Sequence, residues 1–297
     1  MKPAPLAPSR ALLLTTSMTR TPLAILFAAT FLALPTLADA HKWEISEIFS
    51  NADGTIQFVE WFNTEDDEQF LSLEAVSTAS GGFLAFPNDL NSAATSGRNF
   101  LMATAAFAAI PGAPTPDYII SNGFLSPAGD TINYTGGDGV AFGALPQDGK
   151  TSITRTGTGI TNSPRNFAGQ SGSVRLALTA FRNGSGLNRT CYSSSAPVLG
   201  TTWTGTLVGG PGANVVAIIG YQGASSGIIL AGGELLVNIA APHIFTVWTL
   251  NGGASTSMNQ MVPNDSSLLE FPLSTQGVVI SGGVVEFCNA VDLLLGH

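Results

Sequence analysis

The sequence predicts an all-β protein: two consecutive β-sandwich domains following a cleaved signal peptide. Three observations carry that prediction. Apolar residues recur in short runs of about four to eight, several with period-two alternation. The 34 Gly and 17 Pro are spread between those runs, as turns between many short strands require. An uncharged apolar stretch near the N-terminus is followed at once by a small-x-small triplet.

The leader comes first. Arg20 precedes the apolar stretch 21–34, Pro35 ends it, and Ala38-Asp39-Ala40 supplies the cleavage site. The stretch is shorter than the roughly 20 residues that span a bilayer, so a removed leader is expected, not an anchor. Residues 1–40 are therefore read as signal peptide, with Met18 a second candidate start and His41 the first mature residue. The mature chain is expected outside the cytoplasm, secreted or at the cell surface, with no membrane span.

The first domain is assigned to 41–174. It opens on Trp43-Glu44-Ile45-Ser46-Glu47-Ile48-Phe49, alternating as a strand does. Ser50-Asn51-Ala52-Asp53-Gly54 follows as a turn, and Ile56-Gln57-Phe58-Val59-Glu60-Trp61-Phe62 as the return strand of a hairpin. Further strands are expected at 70–76, 83–86, 100–103, 118–120, 131–134 and 140–142. Only 104–109 reads as helical, for a turn or two. From 148 to 173 the chain turns to Gly, Thr, Ser, Asn and Pro and is read as the exit from this domain and the linker, the boundary falling within 165–195. The second domain, 175–297, is a sandwich or jelly-roll-like module with strands expected at 201–208, 214–221, 227–230, 234–239, 244–250, 268–273, 278–280 and 284–289.

Charge separates the two halves. Residues 41–174 carry 14 acidic and 5 basic side chains, and 175–297 carry 5 and 3. So acidic a surface repels phosphate backbones, and nucleic acid is excluded as a partner. The two cysteines, Cys191 and Cys288, both lie in the second half, and export places them in an oxidising compartment. A disulfide between them is expected.

The stretch from Trp43 to Glu60 resembles the opening of bacterial lamin-tail-like domains, in which a Glu-bearing strand leads through an Asn/Asp turn to a second strand ending in Glu. Pro116-Asp117-Tyr118, the segment Phe124-Leu125-Ser126-Pro127-Ala128-Gly129-Asp130-Thr131-Ile132 and Asn166-Phe167-Ala168-Gly169-Gln170-Ser171-Gly172 resemble later parts of that family. The resemblance covers residues 41–174; the family's frequent Gly-Trp after the third strand is missing. It implies an immunoglobulin-like sandwich used as an accessory module on exported bacterial proteins. Residues Pro263-Asn264-Asp265, Thr275-Gln276 and Asn289-Ala290-Val291-Asp292-Leu293 are similar to a terminal β-module of planctomycete and myxobacterial secreted proteins.

Candidate chemistry is sparse. No Gly-x-Ser-x-Gly elbow occurs. Glu44, Glu47 and Glu60 are candidate acid and base groups, but odd spacing puts Glu44 and Glu47 on opposite faces of a regular strand unless a bulge intervenes. Asn51, Asp53 and Glu60 offer the hard oxygen ligands that Ca²⁺ takes, and the run Glu65-Asp66-Asp67-Glu68 offers more. Calcium is the ion that these oxygens suit; beyond candidate metal ions no cofactor is expected. A mature N-terminal His41 could chelate copper through its amine and ring, as in lytic polysaccharide mono-oxygenases, with His243 or His297 as the remaining imidazole. Trp43, Trp61, Phe58 and Phe62 are expected in the core. The resulting expectation is a non-enzymatic structural or interaction protein whose partner is a surface or matrix component, glycan or protein. An extracellular carbohydrate-active or metal-dependent enzyme using His41 or the acidic hairpin is the alternative, and a calcium-stabilised binding module the other.

Overall fold

The computed structural model describes residues 40–209, 214–251 and 255–297. The protein is nearly all β, as its alternating pattern predicts, with several sheets and no barrel.

The first sheet begins with the expected hairpin. Strands β1 (Glu44–Ser50) and β2 (Gln57–Asn63) pair antiparallel across a turn in which Gly54 takes φ +72°, a backbone region closed to most side chains. Strands β3 (Ala75–Thr78), β4 (Phe83–Ala85) and β5 (Arg98–Thr104) follow, then the one-turn helix α1 (Ala105–Ala108). Thr104 caps that helix, its side chain accepting from the Phe107 N–H. Strands β6 (Tyr118–Ile120), β7 (Asp130–Tyr134), β8 (Gly139–Phe142), β9 (Thr151–Thr154) and β10 (Gly159–Thr161) complete the group. They form two sheets, ordered β10-β9-β1-β2-β5-β6 and β4-β3-β7-β8. Between the sheets lie Trp43, Trp61, Phe100, Phe86 and Tyr134, and Trp61 stacks on Phe100 at 5.6 Å. The opposite face of the larger sheet carries a second apolar layer, Phe49, Phe58 and Leu101, covered by Phe107 of α1 and by Val174 and Leu176.

Local expectations change in both halves; the strand read at 268–273 gives way to a 3₁₀ turn at Ser266–Leu268, and extended pairing starts only at Pro272. The 70–76 strand gives way to a 3₁₀ turn at Leu71–Leu73 before β3, because the Asp89 carboxylate takes the Ser72 N–H at 2.9 Å. The 148–173 segment, polar and glycine-rich, is no simple linker. It supplies β9, which pairs with β1, and then β10.

The second group comprises β11 (Leu178–Arg182), β12 (Tyr192–Ser194), β13 (Thr202–Val208), β14 (Asn214–Tyr221), β15 (Ala224–Leu230) and β16 (Gly233–Val237). It continues with β17 (His243–Asn251), β18 (Ser255–Met261), β19 (Pro272–Ser281) and β20 (Val284–Leu294). A five-stranded sheet, β11-β20-β19-β14-β17, faces a three-stranded one, β12-β13-β18, and β15-β16 is a separate hairpin. Val216, Ile218, Trp203, Leu207, Val279 and Val291 belong to the core of this group.

The cysteines bond as expected, joining Cys191 to Cys288 of β20. Around them runs a buried amide network. Asn289 Oδ1 accepts from the N–H groups of Cys191 and Tyr192, while Asn188 and Gln276 both donate to the Cys288 carbonyl. Asn188 and Asn289 supply partners for the irregular 188–192 segment, and Gln276 links β16 to β20.

Among the described residues no strand is shared between the two groups. At their junction Lys150 and Arg175 both reach the Glu270 carboxylate, at 2.6 and 3.3 Å. The His297 N–H donates to the Arg175 carbonyl. Gly296 lies so close to Leu176 and Ala177 that any Cβ there would meet backbone at about 2.3 Å.

Candidate functional site

The chemistry-bearing side chains of the first group gather around the β1–β2 hairpin. The register slips by one residue between Ile45 and Glu47, leaving Ser46 unpaired in a bulge. That bulge reverses the expectation of opposite faces. Ile45 and Ile48 now both enter the core between the sheets, while Glu44 and Glu47 share the other face. Glu44 is exposed at the strand end, and Glu47 sits directly across from Glu60.

Both carboxyls of the Glu47–Glu60 pair are buried. Glu47 Oε1 accepts from the Ser152 hydroxyl (2.5 Å) and the Ser163 N–H (2.9 Å). Glu60 Oε1 accepts from Ser46 Oγ (2.6 Å) and Asn99 Nδ2 (2.9 Å), and its Oε2 from the Arg165 N–H (2.6 Å). Burial raises the Glu60 pKa to about 7, helped by the neighbouring Glu47 charge and opposed by the Ser46 and Arg165 hydrogen bonds. Burial also raises that of Glu47 against its serine donors. A third carboxyl, Asp117, is likewise raised by burial and accepts from Leu101 and Phe167 N–H groups. Three acids therefore hold the 162–167 segment down on the sheet. That segment lies over the pair and spends its oxygens, which is clamp chemistry and not a glycosidase cleft open to a sugar.

Two of the three candidate calcium ligands, Asn51 and Asp53, belong to the hairpin turn. Asn51 Oδ1 accepts from the Ile56 N–H, and Asp53 Oδ1 from the N–H and hydroxyl of Thr55, so both complete the hairpin turn. These bonds hold the Asp53 carboxyl below its usual range. Glu60 is occupied farther along β2. Among the described residues no three His, Cys, Asp or Glu side chains form a metal-sized group. Calcium at millimolar concentration is accordingly expected to leave the thermal midpoint where a chelator leaves it; a calcium-dependent rise of several degrees would place an ion at this turn.

The histidines fall in different places. The His41 N–H donates to Glu68 Oε2 at 2.7 Å, and its ring Nδ1 stands 3.8 Å from Glu68 Oε1. His243 lies at the start of β17, with Nε2 2.8 Å from Thr246 Oγ1, and the backbone of His297 pairs with Arg175. No imidazole cluster for copper arises among the described residues. The Glu68 carboxylate, 6% exposed, also accepts the Lys42 N–H at 3.1 Å. The adjoining cleft, about 620 Å³, is lined by His41, Glu44, Phe62, Glu65, Asp138 and Arg155. Arg155 pairs with Asp138 there and lowers its pKa against the raising effect of burial. Of the four aromatics expected inside, Trp43, Trp61 and Phe58 are fully buried, and Phe62 is 38% exposed on the cleft.

A scan against protein-family models finds no match to this chain, and a search of curated proteins finds none.

One surface stands out that the sequence did not single out. In β17, Phe245 and Val247 pack against the core, while Trp248 and Leu250 on the other face are 68% and 73% exposed. The register extends that face across the sheet. Leu250 lies beside Val215, Val215 beside Ile280, and Ile280 beside Val285, an apolar row crossing four strands. The next row is Trp248, Ala217, Val278 and Phe287. Among the described residues β17 pairs only with β14, so it ends the sheet. It carries no Asp, Glu, Lys or Arg and no proline.

Proposed function

We propose that this chain is an exported, non-enzymatic structural or interaction protein that assembles by pairing the β17 edge and its apolar face with a second copy. The observation that carries the reading is that edge: nine residues, uncharged, with exposed Trp248 and Leu250 on one side. Edge strands of monomeric proteins are usually blunted by lysine, proline or a cover, and contiguous apolar faces usually meet a partner. A second copy is the occupant that charge favours. Like charge concentrates in residues 41–174, whereas 175–297 carries 5 acidic and 3 basic side chains, so repulsion between copies is least here. Antiparallel pairing of one strand with itself is also self-complementary about a two-fold axis.

Export is supported by the leader pattern, by the Cys191–Cys288 disulfide and by Glu68. Cleavage after Ala40 would create an α-ammonium at His41, the atom that Glu68 already holds. N-terminal sequencing of the protein from fractionated cells is expected to begin at His41, outside the cytoplasm. The lamin-tail-like resemblance of residues 41–174 agrees with an accessory, non-catalytic role.

Light scattering on the processed protein tests the assembly. The wild type is expected to shift from monomer to dimer with rising concentration. Trp248→Lys is expected to stay monomeric with an unchanged far-ultraviolet spectrum. A wild type that remains monomeric at every concentration would overturn the pairing.

A further inference from the structure

The described part of the chain holds eight Lys and Arg side chains, and five of them meet a carboxylate within 4 Å. Lys42, Arg98 and Arg165 do not, and the two arginines fall on one cleft. It measures about 190 Å³ and is lined also by Asn99, Asn166, Phe167 and Ser171.

Each arginine is held by contacts that leave donors unspent. The Arg98 guanidinium lies over the Phe167 ring at 5.2 Å and donates one Nη1 bond to the Phe167 carbonyl at 3.2 Å. Its other N–H groups have no acceptor among the described residues. Arg165 is fixed through its backbone, by the bond to Glu60 and by the bridge to Ser171. Its exposed guanidinium has neither an ion-pair partner nor a hydrogen-bond acceptor there. Glu60 accepts from the Arg165 backbone N–H, and the guanidinium acts on Glu60 and Glu47 through space without forming an ion pair within 4 Å.

We infer that this cleft is a binding site for the carboxylate or sulfate group of a small solute, gripped between Arg98 and Arg165. Two planar guanidinium forks suit an oxyanion better than they suit any neutral group, because each offers parallel donors to paired oxygens. The cleft, about 190 Å³ and open to solvent on one side, admits the anionic group of a sugar-sized solute.

Amide chemical shifts of the isotopically labelled, processed protein would be followed on titration with glucuronate, inorganic sulfate and methyl glucoside. Saturable shifts at residues 97–99 and 165–171 are expected with glucuronate. Sulfate acting alike would assign recognition to the oxyanion alone, and sulfate acting weakly would add a sugar contribution. Methyl glucoside is expected to do nothing. Arg165→Gln, which alters an exposed side chain and keeps the backbone bond to Glu60, is expected to weaken binding at least tenfold. Adding Arg98→Gln is expected to abolish it. Equal binding by wild type and Arg165→Gln, or no shift with either anion, would overturn the site.

Discussion

Replacing Cys191 and Cys288 together by alanine is expected to destabilise the second sheet group by about 4 kcal/mol, the largest effect of any change considered. The bond closes a loop with a sequence separation of 97 residues, so most of its contribution lies in restricting the unfolded chain. Long loops gain most in that model, growing with the logarithm of their length. The native environment adds to this. Both cysteines are buried; the amides of Asn188 and Asn289 hold the 188–192 segment against β20, and that of Gln276 ties the Cys288 carbonyl to β16. Denaturant unfolding of the oxidised protein and of the double variant measures the difference directly. A loss under about 1 kcal/mol would mean that the amide network alone fixes this segment.

The second large effect is a dependence of stability on pH that runs opposite to the usual carboxylate case. The Glu60 pKa stands at about 7 in the folded protein, against 4.5 for an ordinary glutamate, with burial the main cause. Raised in the fold, the group binds its proton more tightly there than in the unfolded chain. Its contribution is therefore fully present below about pH 4.5 and lost as pH rises through about 7. The shift corresponds to about 3 kcal/mol. Glu47 and Asp117, also raised by burial, act in the same direction. Asp130, Asp138 and Asp148, held low by their hydrogen bonds against some burial, act oppositely and only in stronger acid. Because Glu47 and Glu60 face each other, the loss belongs to the pair. Glu60→Gln keeps a neutral polar group that Ser46 and Asn99 can meet by reorienting. It is expected to flatten the decline between pH 4.5 and 8 and to be the more stable protein at pH 8. Parallel pH profiles for wild type and variant would remove Glu60 from this role.

What the sequence could and could not reveal follows from where the bonds go. Trp43, Trp61 and Phe58 are legible as core because strand alternation is local and the hairpin turn is written in Asp53-Gly54. The shared face of Glu44 and Glu47 is not, because one extra residue at Ser46 inverts the facing of everything before it. The 148–173 segment reads as linker because many of its partners are distant side chains. Asn162 bonds Lys150 and Val174, Glu47 bonds Ser163, and Asp117 bonds Phe167. Composition records none of this. The Trp248 face lies between these cases. Alternation in 243–251 marks a strand with Trp248 and Leu250 on one side, yet whether that side is covered depends on the β15–β16 hairpin. The hairpin contacts the sheet at β19 and β20, where the Phe287 N–H meets the Gly232 carbonyl, and leaves Trp248 and Leu250 exposed. Arg98 and Arg165, 67 positions apart in sequence, meet only because 162–167 folds back over β5.

Hydrogen exchange of the β17 backbone, followed from dilute to concentrated protein, probes the assembly at the strand that would carry it. The amides of residues 246–250 are expected to exchange several-fold more slowly as concentration rises, and to lose that protection in Trp248→Lys. Exchange at these amides that ignores concentration, with variant and wild type indistinguishable, would contradict a protein that works by pairing this edge.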